Sequence, residues 1–360
     1  MKVLLLVKRF DYGGAENHVS ELANALACAG HSVWLMSTPG LQQVRLHSGV
    51  GHIATDFSDW KIIFHLFRII RMIKSEHFDV IHAHQRFPIF LGTLASMWTK
   101  IPVVATVHGS ALSDLRSELV RRKLSRVIAV RESCLSYIQS IVKPAGKVIL
   151  IPNGVKLPAN CVDRYVDPQC FSLYYISRMD RHHIRLLKFF LIEVWPKIIA
   201  RYPRSQFHIV GEGNCLNEMI EWFIMKSDYT GIQASVYFEG YAVEVGEHYL
   251  DADLVMGVGR VAIESLVHGV PLLSVKHNHL GPIVTRSNLK RVQFANFVDL
   301  DGSPPSVDRF MAILNDFLDH RLYYENEAKS LQQLLSKEYN LDLIAKRIVE
   351  VYQDVIPNNF

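Results

Sequence analysis

Apolar residues along this chain fall in short uninterrupted runs, not in strict alternation. Val3–Val7 is the first run. A glycine pair follows at Gly13–Gly14, then helical periodicity from Glu16 to Ala29, closed by Gly30. Further runs occupy Ser32–Ser37, Asp79–His84, Val103–His108 and Val127–Val130, with helical stretches between them, and VILIPNGV at 148–155 closes the series. Runs apolar on both faces and separated by helices predict a doubly wound parallel sheet. A second series follows at Ser172–Ser177, Gln206–Val210, Ser235–Phe238, Leu254–Met256 and Leu272–Val275, with helices such as Leu186–Arg201 and Ala262–His268 interleaved. At 360 residues the chain exceeds what one core usually serves. The reading is two Rossmann-like α/β domains, 1–160 and 161–340, joined by an irregular linker over Lys156–Gln169. A final helix within 341–360, periodic over Leu341–Ile356, is long enough to pack back onto the first domain.

Two such domains leave a cleft between them, and open α/β sheets bind ligands beyond the carboxyl ends of their strands. The residues just after strands are therefore the candidates. Gly13 and Gly14 let backbone approach a ligand at a helix start, which favours an anion. The GxGxxG spacing of a dinucleotide site is absent, which ranks a dehydrogenase low. Arg178 opens SRMDRHHIR, and a guanidinium suits phosphate oxygens. Gly211 and Gly213 bracket Glu212 after another strand, and Gly257 and Gly259 lead into Arg260 and Glu264. Arg260 and Glu264 lie four apart on a helix face, so they either pair with each other or divide a nucleotide between them, diphosphate to Arg260 and ribose diol to Glu264. His84 and His108 end strands and suit a sugar or phosphate oxygen; His82, on the same strand face as His84, reads as a strand histidine near a sheet edge. No histidine cluster has the further ligands of a metal site.

Charge adds one asymmetry to a net charge of +4. Residues 1–160 carry +9 and the remainder −5, so the first domain suits an anionic partner, although chance scatter explains it nearly as well. The five cysteines are odd in number and lack CxxC spacing, which fits reduced thiols and a cytoplasmic setting. The apolar run at the start is too short for a signal peptide, and no stretch approaches a membrane span. The segment Trp60–Ser75 is bulky and apolar, with Lys61, His65, Arg68 and Arg71 at spacings of three or four. It suits an anionic membrane surface; the preferred reading is a helix buried over most of its surface with a basic outer stripe.

Taken in order, GGAE at 13–16, DVIHAH at 79–84, VVATVHG at 103–109, IPNGV at 151–155, SRMD at 177–180, IVGEG at 209–213, VYFEGY at 236–241 and GVGRVAIESLVHGVPLL at 257–273 resemble the GT-B-fold retaining glycosyltransferases of family 4. The resemblance spans essentially the whole chain. It implies two Rossmann-like domains facing each other across a cleft, with the acceptor on the first domain and a nucleotide-sugar donor on the second. It implies a metal-independent enzyme that needs no cofactor. The donor is expected to be a UDP- or GDP-sugar. The acceptor is expected to be a glycan, a lipid-linked molecule or a small molecule in surface polysaccharide or glycoconjugate synthesis. Nucleic acid is not expected as a partner; the basic first domain is compatible with peripheral contact at the inner membrane face, and equally with a soluble acceptor.

By the same resemblance Arg178 contacts the donor diphosphate, Glu264 the ribose, and His108 is the active-site histidine. Gly13 and Gly14 lie near donor phosphates and acceptor, and Asn153 belongs to the PNG turn. Two positions depart from the family pattern: His183 stands where a lysine is usual, and Met256 where the first of two glutamates is usual. The usual GG-x-PE loop is reduced to HLGPIV at 279–284. Arg260, with Arg185, is a candidate replacement for the missing lysine. These departures keep a catalytically degenerate, nucleotide-sugar-binding subunit open as the alternative function.

Overall fold

The structure is a computed structural model, and it describes residues 1–11, 13–109, 112, 114–158, 170–227, 231–242 and 245–357. The chain forms two compact units, Met1–Lys156 with Tyr339–Phe360, and Leu157–Glu338. Most of the expected linker, 159–169, lies outside the described residues.

The first unit holds a seven-stranded sheet in the order β3-β2-β1-β4-β5-β6-β7. Its strands are β1 (Lys2–Leu6), β2 (Ser32–Ser37), β3 (Val50–Ala54), β4 (Val80–His84), β5 (Val103–Val107), β6 (Arg126–Ala129) and β7 (Val148–Leu150). Every pairing is parallel. The sheet's two faces feed separate cores. One gathers Leu4, Leu6, Ile69, Ile73, Ile81, Leu91 and Ile138 beneath helices Ile62–Glu76, Arg86–Thr99 and Glu132–Ile141. The other gathers Val3, Leu5, Val19, Leu22, Val104, Ile344 and Ile348 beneath helix Gly14–Cys28 and the C-terminal helix Leu341–Val355. Burial on both faces is why these strands read as continuous apolar runs. β3 escapes such a reading because VGHIA has no apolar run. A Cβ at its Gly51 would stand 2.8 Å from the Trp34 ring, so the glycine lets that ring lie across the strand.

The C-terminal helix belongs to the first unit by direct packing. Asn340 caps it, its side chain accepting from the N–H groups of Asp342 and Leu343. Tyr352, fully buried, reaches His82 Nδ1 at 2.6 Å, and His82 Nε2 meets Thr106 Oγ1 at 2.7 Å. β4 lies between β1 and β5, so His82 sits in the sheet's centre, not near its edge. It is a satisfied core imidazole joining β5 to the C-terminal helix.

The second unit holds a six-stranded sheet in the order β10-β9-β8-β11-β12-β13. Its strands are β8 (Ser172–Ile176), β9 (Gln206–Val210), β10 (Val236–Gly240), β11 (Leu254–Gly257), β12 (Leu272–Lys276) and β13 (His279–Ile283). All pair in parallel except β13, an antiparallel edge strand. The HLGPIV segment is therefore mainly strand, not loop. Its proline is tolerated because an edge strand leaves one side of its backbone unpaired. The helix expected from Leu186 begins earlier, at Arg181, because Asp180 caps it. Its hydrogen-bond ladder loosens into a π turn at Phe190–Val194, just before Pro196, which has no N–H to donate.

The C-terminal helix supplies Ile344, Ile348 and Tyr352 to the core above β1, β5 and β6. We expect Ile348→Ala to lower the first unit's unfolding free energy by about 2–5 kcal/mol in urea titrations, while a surface change such as Lys346→Ala leaves it nearly unchanged.

Candidate functional site

Strand order reverses once in each sheet, between β1 and β4 and between β8 and β11. Crossovers leave these two points toward opposite faces, so the carboxyl ends of the adjacent strands flank a crevice. The sequence-expected residues end or follow these four strands or their neighbours β5 and β9, except Asn153, which follows the edge strand β7.

In the second unit, β8 delivers Ser177 and Arg178, β9 delivers Gly211 and Gly213, and β11 delivers the segment from Gly257 to Glu264. Arg178 is exposed and leans on Asp180, with Nη2 to Oδ2 at 3.3 Å. Asp180 also caps the next helix, Oδ1 accepting from the N–H groups of His182 and His183 at 3.0 and 3.2 Å. His183 is held from the other side, its Nδ1 lying 2.6 Å from the buried Tyr175 hydroxyl and 2.8 Å from Ser177 Oγ. Burial lowers the His183 pKa and the Asp180 carboxylate opposes that shift. The position expected to carry a mobile lysine thus carries a fixed imidazole. His182 stacks on His277 with ring centroids 4.6 Å apart. Arg185 lies exposed on the same helix.

The two glycines after β9 serve backbone packing. A Cβ on Gly211, whose φ is +136°, would fall 1.9 Å from the Ser177 carbonyl oxygen, and one on Gly213 would fall 2.4 Å from that of Met179. The loop after β9 therefore lies directly against the loop carrying Arg178, and Met179 N–H donates to Glu212 O at 3.1 Å. Their smallness is spent on a neighbouring loop, where the sequence suggested approach to a ligand.

The turn after β11 is built similarly. Gly259 has φ +65°, and its N–H donates to Asn296 O at 2.9 Å. That N–H is accordingly engaged and not free for a diphosphate. Asn296 and Phe297 both hold positive φ, a backbone state costly for residues with side chains. This strained pair braces the turn from below. It carried no sequence signal, since neither residue is glycine.

Glu264 is the most tightly held group of the set. Its Oε1 accepts from Arg260 Nε at 2.7 Å and its Oε2 accepts from Tyr249 Oη at 3.0 Å. Arg260 and Glu264 are 10% and 16% exposed, so the ion pair is largely screened from water. The plainer of the two expected arrangements, pairing along one helix face, is the one found. Each carboxylate oxygen retains a further lone pair, so Glu264 can still accept from a hydroxyl. Met256 is fully buried in the unit's core. A carboxylate there would need a partner it does not have in that apolar cluster.

In the first unit, Gly13 has φ +144°, and a Cβ on it would stand 2.3 Å from Glu16 Oε2. The Glu16 carboxylate folds back over the glycine loop at the helix start. Gln85, just after β4, ties this arrangement together. Its Oε1 accepts from the N–H groups of Lys8 and Arg9 at 3.0 and 3.2 Å, and its Nε2 donates to Glu16 Oε1 at 2.8 Å. Gln85 adopts φ +66°, a strained state sustained by these three bonds. Sequence reasoning missed it, because a lone glutamine carries no signal. An open cavity of about 540 Å³ adjoins, lined by Lys8, Arg9, Arg86 and Arg116 among cations, by Glu16 and Asp114, and by Phe87.

Three histidines, His18, His84 and His108, cluster in the same unit. His84 is fully buried, its Nδ1 3.4 Å from His108 Nε2, and the His18 ring stands edge-on to both. His84 thus supports the site from beneath; half-buried His108 is the more accessible of the two. Burial depresses His82 to about 3 and His108 to about 4, the latter helped by the Arg131 guanidinium, and holds His84 well below its ordinary value. Asn153 follows β7, its Oδ1 buried without a hydrogen-bond partner; Gly154 beside it packs on Leu341, where a Cβ would meet the backbone at 2.8 Å. Among the described residues no group of three or more His, Cys, Asp or Glu could hold a metal ion.

Two doubly wound sheets, each with a ligand crevice at its switch point, define the GT-B class. Residues 12–157 match the family model of Glycosyltransferase Family 4. The chain is 22% identical to the phosphatidylinositol N-acetylglucosaminyltransferase gpi3 subunit of Schizosaccharomyces pombe, over 96% of this chain and 79% of that one. It is 26% identical to the phosphatidyl-myo-inositol mannosyltransferase of Mycolicibacterium smegmatis, over 56% of each. The crystal structure of Anabaena Alr3699/HepE in complex with UDP and glucose shares its fold with a TM-score of 0.71 at 17% identity, over 98% of this chain and 99% of that one. The chain thus has the GT-B fold, and its residues 12–157 are similar to Glycosyltransferase Family 4.

The buried imidazoles generate a pH prediction. They are neutral when folded, whereas an unfolded histidine protonates near 6.5. Stability is therefore fully present above about pH 6.5 and falls as the pH drops toward the depressed values, by about 1.4 kcal/mol per pH unit for each such group. Urea unfolding between pH 7 and pH 5 should reveal this slope, and His82→Gln should flatten it by one histidine's share.

Proposed function

We propose that this enzyme transfers a sugar with retention from a nucleoside-diphosphate sugar, UDP- or GDP-linked, to an acceptor held on the first unit. The observation that carries the reading is the convergence of Arg178, the glycine loop after β9 and the Arg260–Glu264 pair at the β8/β11 switch point. Arg178 and His183 face the donor diphosphate, and Glu264, fixed by Arg260 and Tyr249, accepts from the ribose hydroxyls. Arg260 serves the donor chiefly by holding Glu264, since its Nε is already committed there. In this reading the Arg178 guanidinium, with the His183 imidazole beside it and not a metal, stabilises the leaving diphosphate. The departing phosphate oxygen takes the acceptor's proton. No nucleophile of the protein is assigned.

On the first unit, Gly13, Gly14 and His108 serve the acceptor, and His84 and Asn153 belong to the same side. The cations of the adjoining cavity suit a phosphate-bearing acceptor. Two relatives named for transfer to phosphatidylinositols make a lipid-linked acceptor the leading choice among the classes considered.

Thermal-shift screening against UDP- and GDP-sugars followed by turnover assays tests the whole reading. Binding with turnover supports a transferase. Binding without hydrolysis or transfer across donors and phospholipid acceptors would instead support a non-catalytic donor-binding subunit.

Arg178→Ala should lower kcat/KM by roughly 10²–10³, as losing one donor to a developing oxyanion does. Glu264→Gln should act mainly on donor KM, and EDTA should leave the rate unchanged. If Arg260→Ala left donor binding and turnover intact, its assigned role would fail.

A further inference from the structure

The helix Ile62–Glu76 and the turn before it, Asp59–Lys61, present an outward face that no described residue of the first unit covers. His65, Ile69 and Ile73 point into the core and are at most 2% exposed. On the opposite side Trp60, Ile63, Phe64 and Phe67 are 82%, 80%, 60% and 73% exposed. This reverses the expected arrangement: the outer stripe is apolar over its first two turns, and His65 belongs to the inner face. At 100° per residue, Trp60, Ile63, Phe64, Phe67, Arg71 and Lys74 form one stripe. Its first half is aromatic and aliphatic; its second half is basic, with Arg71 and Lys74 both exposed. Half-exposed Arg68 and Lys61 flank it.

We propose that this face docks the enzyme on an anionic lipid bilayer, with the Trp60–Phe67 end seated among headgroups and upper acyl chains and Arg71 and Lys74 on lipid phosphates. The exposed apolar surface, on the order of several hundred Å², is large for a face that remains in water. Its aromatic content is that of a membrane interface, and the charge at its margin is complementary to anionic lipid. Acidic groups nearby do not cancel that charge. Asp56 is held by Lys61 at 2.8 Å, and Glu76 by Lys2 at 2.7 Å. Among the described residues no helix is long and apolar enough to cross a membrane, so this is attachment in the interface plane.

On its inner side the helix meets the wall of the candidate acceptor cavity: Phe87, which lines that cavity, stacks edge-on with His65, with ring centroids 6.5 Å apart. The attachment itself stands whether or not the proposed donor and acceptor are correct.

Co-sedimentation of the full chain with phosphatidylcholine vesicles, with and without phosphatidylglycerol, tests the proposal. Binding is expected to the anionic vesicles and to weaken with salt. Trp60→Ser with Phe64→Ser and Phe67→Ser should abolish it while leaving the melting temperature and donor-induced thermal shift unchanged. Arg71→Glu with Lys74→Glu should weaken it on the order of thirtyfold. Wild-type protein left in the supernatant, or equal binding by the triple variant, would overturn the proposal. So would light scattering that finds a wild-type dimer converted to monomer by the triple variant, because the face would then be covered by a second copy.

Discussion

Parallel pairing is the constraint on which the rest of this molecule depends. Parallel strands cannot be joined by tight turns, so each connection must cross a face of the sheet as a helix or long loop. A strand order that grows outward in both directions from β1 and β4, or from β8 and β11, sends those crossovers to opposite faces. One gap is left uncovered at the carboxyl ends of the two central strands. Arg178 and the Gly257–Glu264 segment follow the two strands at that gap in the second unit, and Gly13 and Gln85 follow those in the first.

Around each gap the fold spends rigidity. Loops meet backbone to backbone, which demands glycine at Gly211 and Gly213. Strained residues, Gln85 on one unit and the Asn296–Phe297 pair on the other, hold positive φ to brace the loops. Glu264 is fixed by two donors. Each device lowers the freedom of a group that must be still when a substrate arrives, which is how a protein converts folding energy into preorganisation. The two departures from the family pattern fit the same logic. His183 is tied to Tyr175 and Ser177, and Met256 completes the core, so both positions have been absorbed into the scaffold.

The surface of the first unit carries a different asymmetry. One of the helices on its sheet buries His65, Ile69 and Ile73 and packs Ile62, Leu66, Ile70 and Met72 on the same core, while Trp60, Ile63, Phe64 and Phe67 stay outside. A helix with two apolar sides needs two apolar environments. The core is one. A bilayer surface is the other that suits the flanking arginines and lysines.

Much of this was written locally. Apolar runs of strand length, helical periodicity between them and glycines at the joints fixed two doubly wound units and placed Arg178, Gly211, Glu264, His84 and His108 beyond strand ends. Such features depend on neighbours within a few residues, so they survive in sequence alone. β3 and β13 were not legible, because VGHIA and HLGPI interrupt any apolar run with glycine, histidine or proline. Gln85 and Asn296 were silent because a strained backbone leaves no mark unless glycine supplies it. Only the folded chain decided that Arg260 belongs to Glu264, that Gly259's N–H is already engaged, and which side of the Ile62–Glu76 helix faces out. Each depends on which distant segment arrives alongside. Periodicity measures how apolar a helix is around its circumference, but it cannot say which of two apolar sides meets the sheet.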